Sequence, residues 1–312
     1  MSFSYRLLGL TLTRDVARGS LVPAVGPAAT GDAVTVGHTR AELPRELAEL
    51  YTNMLPGTGE PVPYLTSSRC EGGYRLRFHG YADFFVTADG REIRVRAGEG
   101  VPASTVEQLL ADLVLPCALQ LFGRPCLHAS AIALPSVGAV AFLGDSGRGK
   151  STLCAALSEH GRMICDDCLA LRVDEHEVTV SPSYPSVRLW ADSAGVLVGS
   201  DAAALPFATP RLSKRRLARE LTVEPLALRH VVLLEVDDAA PTPALDRLIG
   251  LAAVGALARG VLRIDPHDKG LLDAEFRLLT RLVASVAIHR LRFAHRFDQL
   301  DQLVDRVRSL GA

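Results

Sequence analysis

Hydrophobic and polar positions alternate along most of the first hundred residues, the period of half-buried strands. "YRLLGLTLT" reads as extended, and "YRLRFHGYADFFVTADGREIRVRAG" alternates on either side of the turn Ala88-Asp89-Gly90. Between them, "RGSLVPAVGPAATGD" is a Pro/Gly/Ala stretch with no period, expected as a loop. The period lengthens over residues 104 to 122, "STVEQLLADLVLPCALQLF", where apolar residues recur at helical spacing after a Ser/Thr N-cap signal. Pro116 lacks an amide hydrogen and is expected to kink that helix.

From about residue 125 the pattern changes to short, nearly unbroken apolar runs, as in buried strands. "CLHASAIAL" and "GAVAFLG" are two such runs joined by Pro135-Ser136, and the helical "KSTLCAALSEHG" follows. "RMICDD" is a further buried strand, and "CLALRVD" with "EVTVSP" predicts a hairpin around Glu175-His176. A basic loop is expected at "TPRLSKRRLARE", ahead of "ALRHVVLLEVD", the last core strand. The remainder reads as helical, apart from "IHRLRF". No repeat or low-complexity tract interrupts this order. The pattern predicts a small β-rich region over 1–100, a candidate for acceptor recognition, followed over 101–312 by an α/β domain with a helical C-terminal part.

Composition narrows the function classes. A chain of 312 residues that is 48% hydrophobic can bury a full core without staples. A formal charge of -1 supplies no electrostatic reason to expect nucleic acid or an acidic membrane surface as partner. Six scattered cysteines read as reduced thiols rather than a disulfide framework. No long apolar run separates Arg6 from Arg14, and "LIGLAAVGALARGVL" is broken by Arg259 and too short for a membrane span. The expectation is a cytoplasmic protein. Basic residues are almost all arginine, so Lys150, Lys214 and Lys269 stand out.

The stretch that carries chemistry is "AFLGDSGRGKSTL", residues 141 to 153, which fits G-x-x-x-x-G-K-[ST] between an apolar strand and a helix. Gly144, Gly147 and Gly149 let the backbone wrap a phosphate chain, with the amides of Asp145, Ser146, Arg148, Lys150 and Thr152 and the helix N-terminus facing the anion. The Lys150 ammonium reaches the terminal phosphates, and the Ser151 hydroxyl ligates Mg²⁺. ATP or another nucleoside triphosphate is the ligand this implies.

One helix later, "ICDDC" puts Asp166 and Asp167 at a strand end that opens on the phosphate site. Two adjacent carboxylates permit a division of labour, one for the metal and one for the proton of an acceptor hydroxyl. A capped strand end with a solvated second acid is the plainer alternative. Cys165 and Cys168 flank the pair, but a structural zinc needs four ligands and two are missing, so they read as small apolar fillers. His128 is either a core residue or an active-site one. Arg188 is either a surface arginine or a clamp on a phosphoryl group. The run Lys214-Arg215-Arg216 is either solvated or phosphate-facing.

Taken in order, "LHASAIAL…GAVAFLGDSGRGKSTLCAALSEHGRMICDDCLAL…YPSVRLW" resembles the catalytic domain of HPr kinase/phosphorylase, which phosphorylates a serine on the bacterial phosphocarrier HPr. This resemblance covers roughly residues 125 to 192. It implies that His128 orients the catalytic acid, that Asp166 is the general base, that Asp167 supports the metal with Ser151, and that Arg188 lies on the phosphate side. Downstream, the Gly-rich, Leu-rich signature of that family is absent, and the N-terminal region does not look like its regulatory domain. Over its whole length the chain is similar to a shorter HPr-kinase-like branch found beside ribosomal peptide biosynthesis. It shares "YRLLGLTL", the "KRR" segment, "PLALRHVVLLEV" and "HRLRF" with that branch, some members of which are lasso peptide precursor kinases.

The resemblance therefore implies an ATP- and Mg²⁺-dependent kinase whose partner is a peptide or small protein with a reactive serine. An HPr-type kinase/phosphorylase and a kinase of small-molecule hydroxyls are the neighbouring alternatives. An adenine-nucleotide switch is the alternative of another class. A guanine switch is excluded, because reading guanine through N-K-x-D needs an asparagine and the sole one is Asn53, far from the loop. The HPr kinase family forms rings, and a homo-oligomer is open to this chain on that ground alone.

Overall fold

The computed structural model describes residues 3–15, 33–55, 61–183, 186–209, 212–222 and 224–311. The Pro/Gly/Ala stretch expected as a loop at 18–32 lies outside them. The chain divides into two compact units, residues 1–126 with 262–275, and residues 127–261 with 276–312. The division expected at residue 100 thus falls at 126/127, and the apolar helical stretch after residue 100 goes with the first unit.

In the first unit, β1 (Phe3–Leu7), β2 (Leu10–Arg14), β3 (Ala33–His38), β4 (Glu46–Leu55), β5 (Val62–Cys70), β6 (Gly73–Phe78), β7 (Ala82–Thr87) and β8 (Glu92–Ala97) form one sheet. Its order is β1-β2-β3-β8-β7-β6-β5-β4. The expected alternation is realised on β6: Tyr74, Leu76 and Phe78 are buried, while Arg75 and Arg77 take the opposite face and pair with Glu46 and Asp83. The helical stretch is α1 (Ala103–Leu109), a π-helical turn at Leu110–Val114, α2 (Leu115–Leu119) and a 3₁₀ turn at Gln120–Phe122. Pro116 has no N–H to offer the fourth carbonyl back, and the wider turn before it absorbs the defect, with Leu115 N–H donating to Leu110 O.

The Ser/Thr cap is a correction. Pro102 heads α1 and no side chain caps it, so Ser104 and Thr105 lie inside the helix. Residues 103–122 are apolar and long enough to cross a membrane by composition, and 83% of their most apolar window is buried in the structure. The returning segment 262–275 belongs to this unit because its polar groups are satisfied there. Ser67 Oγ donates to Ile264 O at 2.9 Å, Ile264 N donates to Gln120 Oε1 at 3.0 Å, and Arg69 pairs with the buried Asp265.

The chain then runs through a two-residue strand, β9 (Cys126–Leu127), into the elements of the second unit: β10 (Ala129–Leu134), β11 (Gly138–Leu143), α3 (Lys150–Leu157), β12 (Arg162–Cys165), β13 (Leu169–Val173), β14 (Val178–Ser181), β15 (Ser186–Leu189), α4 (Ala191–Val198), β16 (Phe207–Thr209), β17 (Leu212–Ala218), β18 (Leu226–Val236), β19 (Ala244–Leu248), α5 (Gly250–Ala258), the second half of α6 (Lys269–Ser285), β21 (Ala287–Phe293) and α7 (Leu300–Arg308), with β20 (Val261–Leu262) at the division. Strands β12, β10, β11 and β18 are neighbours in that order, and β21 pairs with β18 on its other side. β11, β18 and β21 run parallel, whereas β10 is antiparallel to both β11 and β12. The β13–β14 hairpin forms as the sequence predicts.

Two expectations fail here. The basic segment is not a loop: Lys214, Arg215 and Arg216 lie on β17, which pairs with β15 and β16 in a small second sheet. The edge strand β19 has five residues in a region read as helical.

Alternation along the main sheet feeds two cores. Ile132, Phe142, Met163, Val232 and Leu291 pack with Leu153 and Leu157 of α3 and Val307 of α7. Ala131, Ala141, Ile164, Val231 and Ile288 face the other way, with Leu257 of α5 and Leu282 of α6. Phe142 is fully buried in the strand that leads into the phosphate loop. Phe142→Ala is expected to lower stability by roughly 3–5 kcal/mol, because the lost contacts and the cavity add. Denaturant unfolding of wild type and variant measures that difference.

Candidate functional site

The antiparallel placement of β10 builds the site. Its first residue, Ala129, is opposite Leu143, the last of β11, and its Ala131 is opposite Cys165, the last of β12. The start of β10 and the ends of β11 and β12 therefore meet. His128 and Ser130, the phosphate loop from Gly144, and the acid pair Asp166-Asp167 are brought together from three stretches far apart in sequence.

The loop runs exposed from Asp145 to Arg148 and turns into α3 at Gly149. Gly144 has φ 151°, and a Cβ there would sit 2.9 Å from Leu234 O of the neighbouring strand. Only glycine fits that approach. Lys150 is 5% exposed, and its Nζ donates to Gly144 O at 2.7 Å and Asp145 O at 3.1 Å, spanning the loop. Burial pushes its pKa down, while the nearby charge of Asp167 acts against that. Thr152 Oγ1 is engaged with Ser193 Oγ of α4 at 3.0 Å, so only its backbone amide is left for an anion.

The two acids have different surroundings although they are adjacent. Asp166 is fully buried. Its Oδ1 accepts from Ser130 Oγ at 2.7 Å and from Ser151 Oγ at 2.8 Å, and its Oδ2 accepts from the Arg188 backbone N–H at 2.8 Å. Asp167 has φ 62°, one of two non-glycine residues in the left-handed region among the described residues. That turn sends its side chain elsewhere, to an ion pair with the Arg188 guanidinium. Arg188 thus holds one acid with its backbone and the other with its side chain. His128 Nδ1 lies 3.0 Å from Asp167 O. A carbonyl only accepts, so Nδ1 carries the hydrogen, and the ring pins the main chain of Asp167 in its unusual conformation.

Electrostatics separates the pair further. Burial drives Asp166 up from the ordinary carboxylate range, with the negative charge of Asp167 adding to it. Burial acts the same way on Asp167, but the charges of Arg188, Lys214, His128 and Lys150 outweigh it and hold that carboxyl at about 2. His128 is pushed down, first by burial and then by the Lys150 charge, which favours its neutral form. Lys214, on β17, lies close enough to influence Asp167 and Lys150, and its Nζ stands 5.2 Å from the centre of the Trp190 ring.

The structure therefore gathers Gly144, Lys150, Ser151, Asp166, Asp167, His128, Arg188 and Lys214 in one place. Sequence reasoning missed Ser130, whose hydroxyl is the only polar side chain on the apolar run of β10, and that isolation was the available signal. It also missed Trp190 and Ser193. Cys165 and Cys168 are buried free thiols, and no group of three or more His, Cys, Asp or Glu able to hold a metal occurs among the described residues. A Mg²⁺ ion bound beside nucleotide phosphates needs no such cage. It takes one or two protein oxygens and keeps its waters, and Ser151 Oγ with Asp166 Oδ1 is a donor set of that kind.

No family model matches the chain, and no curated protein does. Among solved structures, the Hpr(Ser) kinase/phosphatase from Coxiella burnetii is similar over 59% of this chain and 94% of its own, at 14% identity and a TM-score of 0.32. Neither value is high enough to carry a fold or an activity from that enzyme to this chain.

The depressed Asp167 has a thermodynamic sign. Its folded pKa lies below the ordinary 3.8, so its ion pairing stabilises the fold above that pH and the contribution fades as pH falls through about 2. Carboxyl ¹³C NMR of Asp167 is expected to show a midpoint near 2 in wild type and a higher one in Arg188→Met, from which the strongest opposing charge is gone.

Proposed function

We propose that the protein is an ATP- and Mg²⁺-dependent kinase that transfers the terminal phosphoryl group to a hydroxyl, with the two acids in roles opposite to those the sequence resemblance implies. The observation that carries this is the split of the pair: Asp166 bonds the loop serine, and Asp167 stands among Lys150, Arg188 and Lys214.

The loop amides and Lys150 would hold the phosphate chain, which the glycine geometry and the buried ammonium support. Ser151 and Asp166 would hold Mg²⁺, which supplies positive charge against the phosphate oxygens. Asp166 is poorly suited to meet an acceptor, because it is fully buried and its Oδ1 lies against Ser151, on the side where the metal would be held. Asp167 is the freer acid. Its carboxylate accepts a hydrogen bond from the incoming alcohol and aims the oxygen in line. As the new O–P bond forms and the bridging P–O bond breaks, the acceptor proton passes to Asp167 and the nucleoside diphosphate leaves. A carboxyl held at about 2 is a weak base. It suffices where the transition state is loose and positioning outweighs proton removal. Lys150, Arg188 and Lys214 offset charge on the moving phosphoryl group. His128 acts through the Asp167 backbone and is a positioning residue.

For the acceptor we infer a serine of a peptide or small protein. The short motifs shared with the HPr-kinase-like branch, some members of which are lasso peptide precursor kinases, support a ribosomally made precursor. A switch that releases phosphate to water is the competing outcome. Incubation with γ-labelled ATP and candidate precursor peptides is expected to place the label on the peptide; free phosphate alone would contradict the kinase reading.

The variants separate the two acids. Asp167→Asn is expected to keep Mg²⁺-nucleotide affinity and lose at least about 100-fold in transfer rate. Asp166→Asn is expected to raise the Mg²⁺ concentration needed for nucleotide binding. The reverse pattern, with Asp167→Asn active and Asp166→Asn binding normally but inert, would restore the roles implied by resemblance. Calorimetric titration and single-turnover transfer read the two quantities.

A further inference from the structure

A second cationic site lies at the other end of β11 from the phosphate loop. The six-residue strand β11 runs from Gly138 to Leu143, about 17 Å at the usual rise. Around Gly138 opens a cleft of about 570 Å³, bounded by the β10–β11 turn, the start of β18, the end of α6 and Arg247 of β19. That volume suits a metabolite-sized ligand. Its lining includes Arg229, His230 and Arg247 together with Ser136 and Ser285, and it includes no carboxylate among the described residues.

Strand alternation explains why the acids are elsewhere. Asp246 and Glu235 face the side of the sheet where Arg290 and Arg292 lie, and they pair with those arginines. Arg247 is the next residue after Asp246 and takes the opposite face, directly across from His289 of β21. On that face His230 Nδ1 is 3.2 Å from His289 Nε2, and Arg247 Nη1 is 3.5 Å from the same nitrogen. Arginine only donates, so His289 Nε2 is an acceptor and His230 Nδ1 carries the shared hydrogen. The other N–H groups of Arg247, which lines the cleft, are left for another acceptor, while His289 stands behind His230 and outside the lining.

Gly138 adds a packing observation. It has φ 90°, and a Cβ there would lie 2.7 Å from Cγ of Arg229. The missing side chain is what lets the arginine stem lie against the turn at the cleft edge.

We propose that this cleft is a binding site for a small phosphate-type dianion, held by Arg229 and Arg247 beside His230, with His289 behind it, distinct from the phosphate loop. Two guanidinium groups match the charge of a dianion, and their forked donors match its oxygens. Burial first, then the neighbouring His230 and Arg247, hold His289 at about 4, and an anion bound beside the pair would act against that. The proposal is independent of the kinase reading.

The test is imidazole NMR of the full chain, with His230 and His289 assigned through His230→Gln and His289→Gln. Sodium phosphate is titrated against sodium chloride of equal ionic strength. The expected result is a saturable shift of both resonances in phosphate only, with the His289 midpoint moved above about 4. The shifts should persist in Lys150→Ala, which disables the phosphate loop, and weaken at least about tenfold in Arg247→Ala. Arg247 is exposed on an edge strand, so its removal leaves the fold in place. A response equal to that in chloride, its loss in Lys150→Ala, or its survival in Arg247→Ala would overturn the proposal.

Discussion

The site depends on one backbone turn, the left-handed conformation of Asp167. Two neighbouring acids on a regular strand end would point to opposite faces of the sheet. With φ at 62°, the chain instead sends both carboxylates into the site by different routes. One ends on the loop serine, the other on Arg188. A non-glycine residue in this region carries strain of about 1 kcal/mol or more, and three contacts oppose it: the His128 ring on the Asp167 carbonyl, the Arg188 guanidinium on its carboxylate, and the Arg188 amide on Asp166.

That turn has meaning only where the sheet puts it. Because β10 is antiparallel between β11 and β12, its first residues lie beside the ends of both. Ser130 can then reach Asp166 from an adjacent strand, and His128 can reach Asp167. The arrangement also isolates Asp166 from water, which raises its proton affinity, while Arg188, Lys214, His128 and Lys150 lower that of its neighbour. Two carboxyl groups pushed in opposite directions by their surroundings is the pattern expected when adjacent acids serve different purposes. The small sheet of β15, β16 and β17 completes the set by carrying Arg188 and Lys214 on paired strands.

Legibility in the sequence followed the range of the physics involved. The phosphate loop was readable because it needs particular residue types at fixed spacing, and the strands on either side of it because their apolar runs are unbroken. The β13–β14 hairpin and the alternation of β6 were readable for the same local reason. Lys214 on a strand rather than a loop was not, since a run of three basic residues has no period of its own and its pairing with β15 is set by tertiary structure. Which of Asp166 and Asp167 meets Ser151 was also beyond the residues alone, because it turns on a single dihedral angle. The apolar helix at 103–122 was found, but its membership of the first unit was not, since the partners of its polar groups, such as Ile264 for Gln120, come from far along the chain.

The most direct measurement is a crystal structure of the protein with Mg²⁺, nucleoside diphosphate, aluminium fluoride as mimic of the moving phosphoryl group, and an acceptor hydroxyl. The account predicts that the attacking oxygen is hydrogen-bonded to the Asp167 carboxylate while Asp166 remains on Ser151 at the metal. An attacking oxygen bonded to Asp166, with Asp167 at the metal, would contradict it.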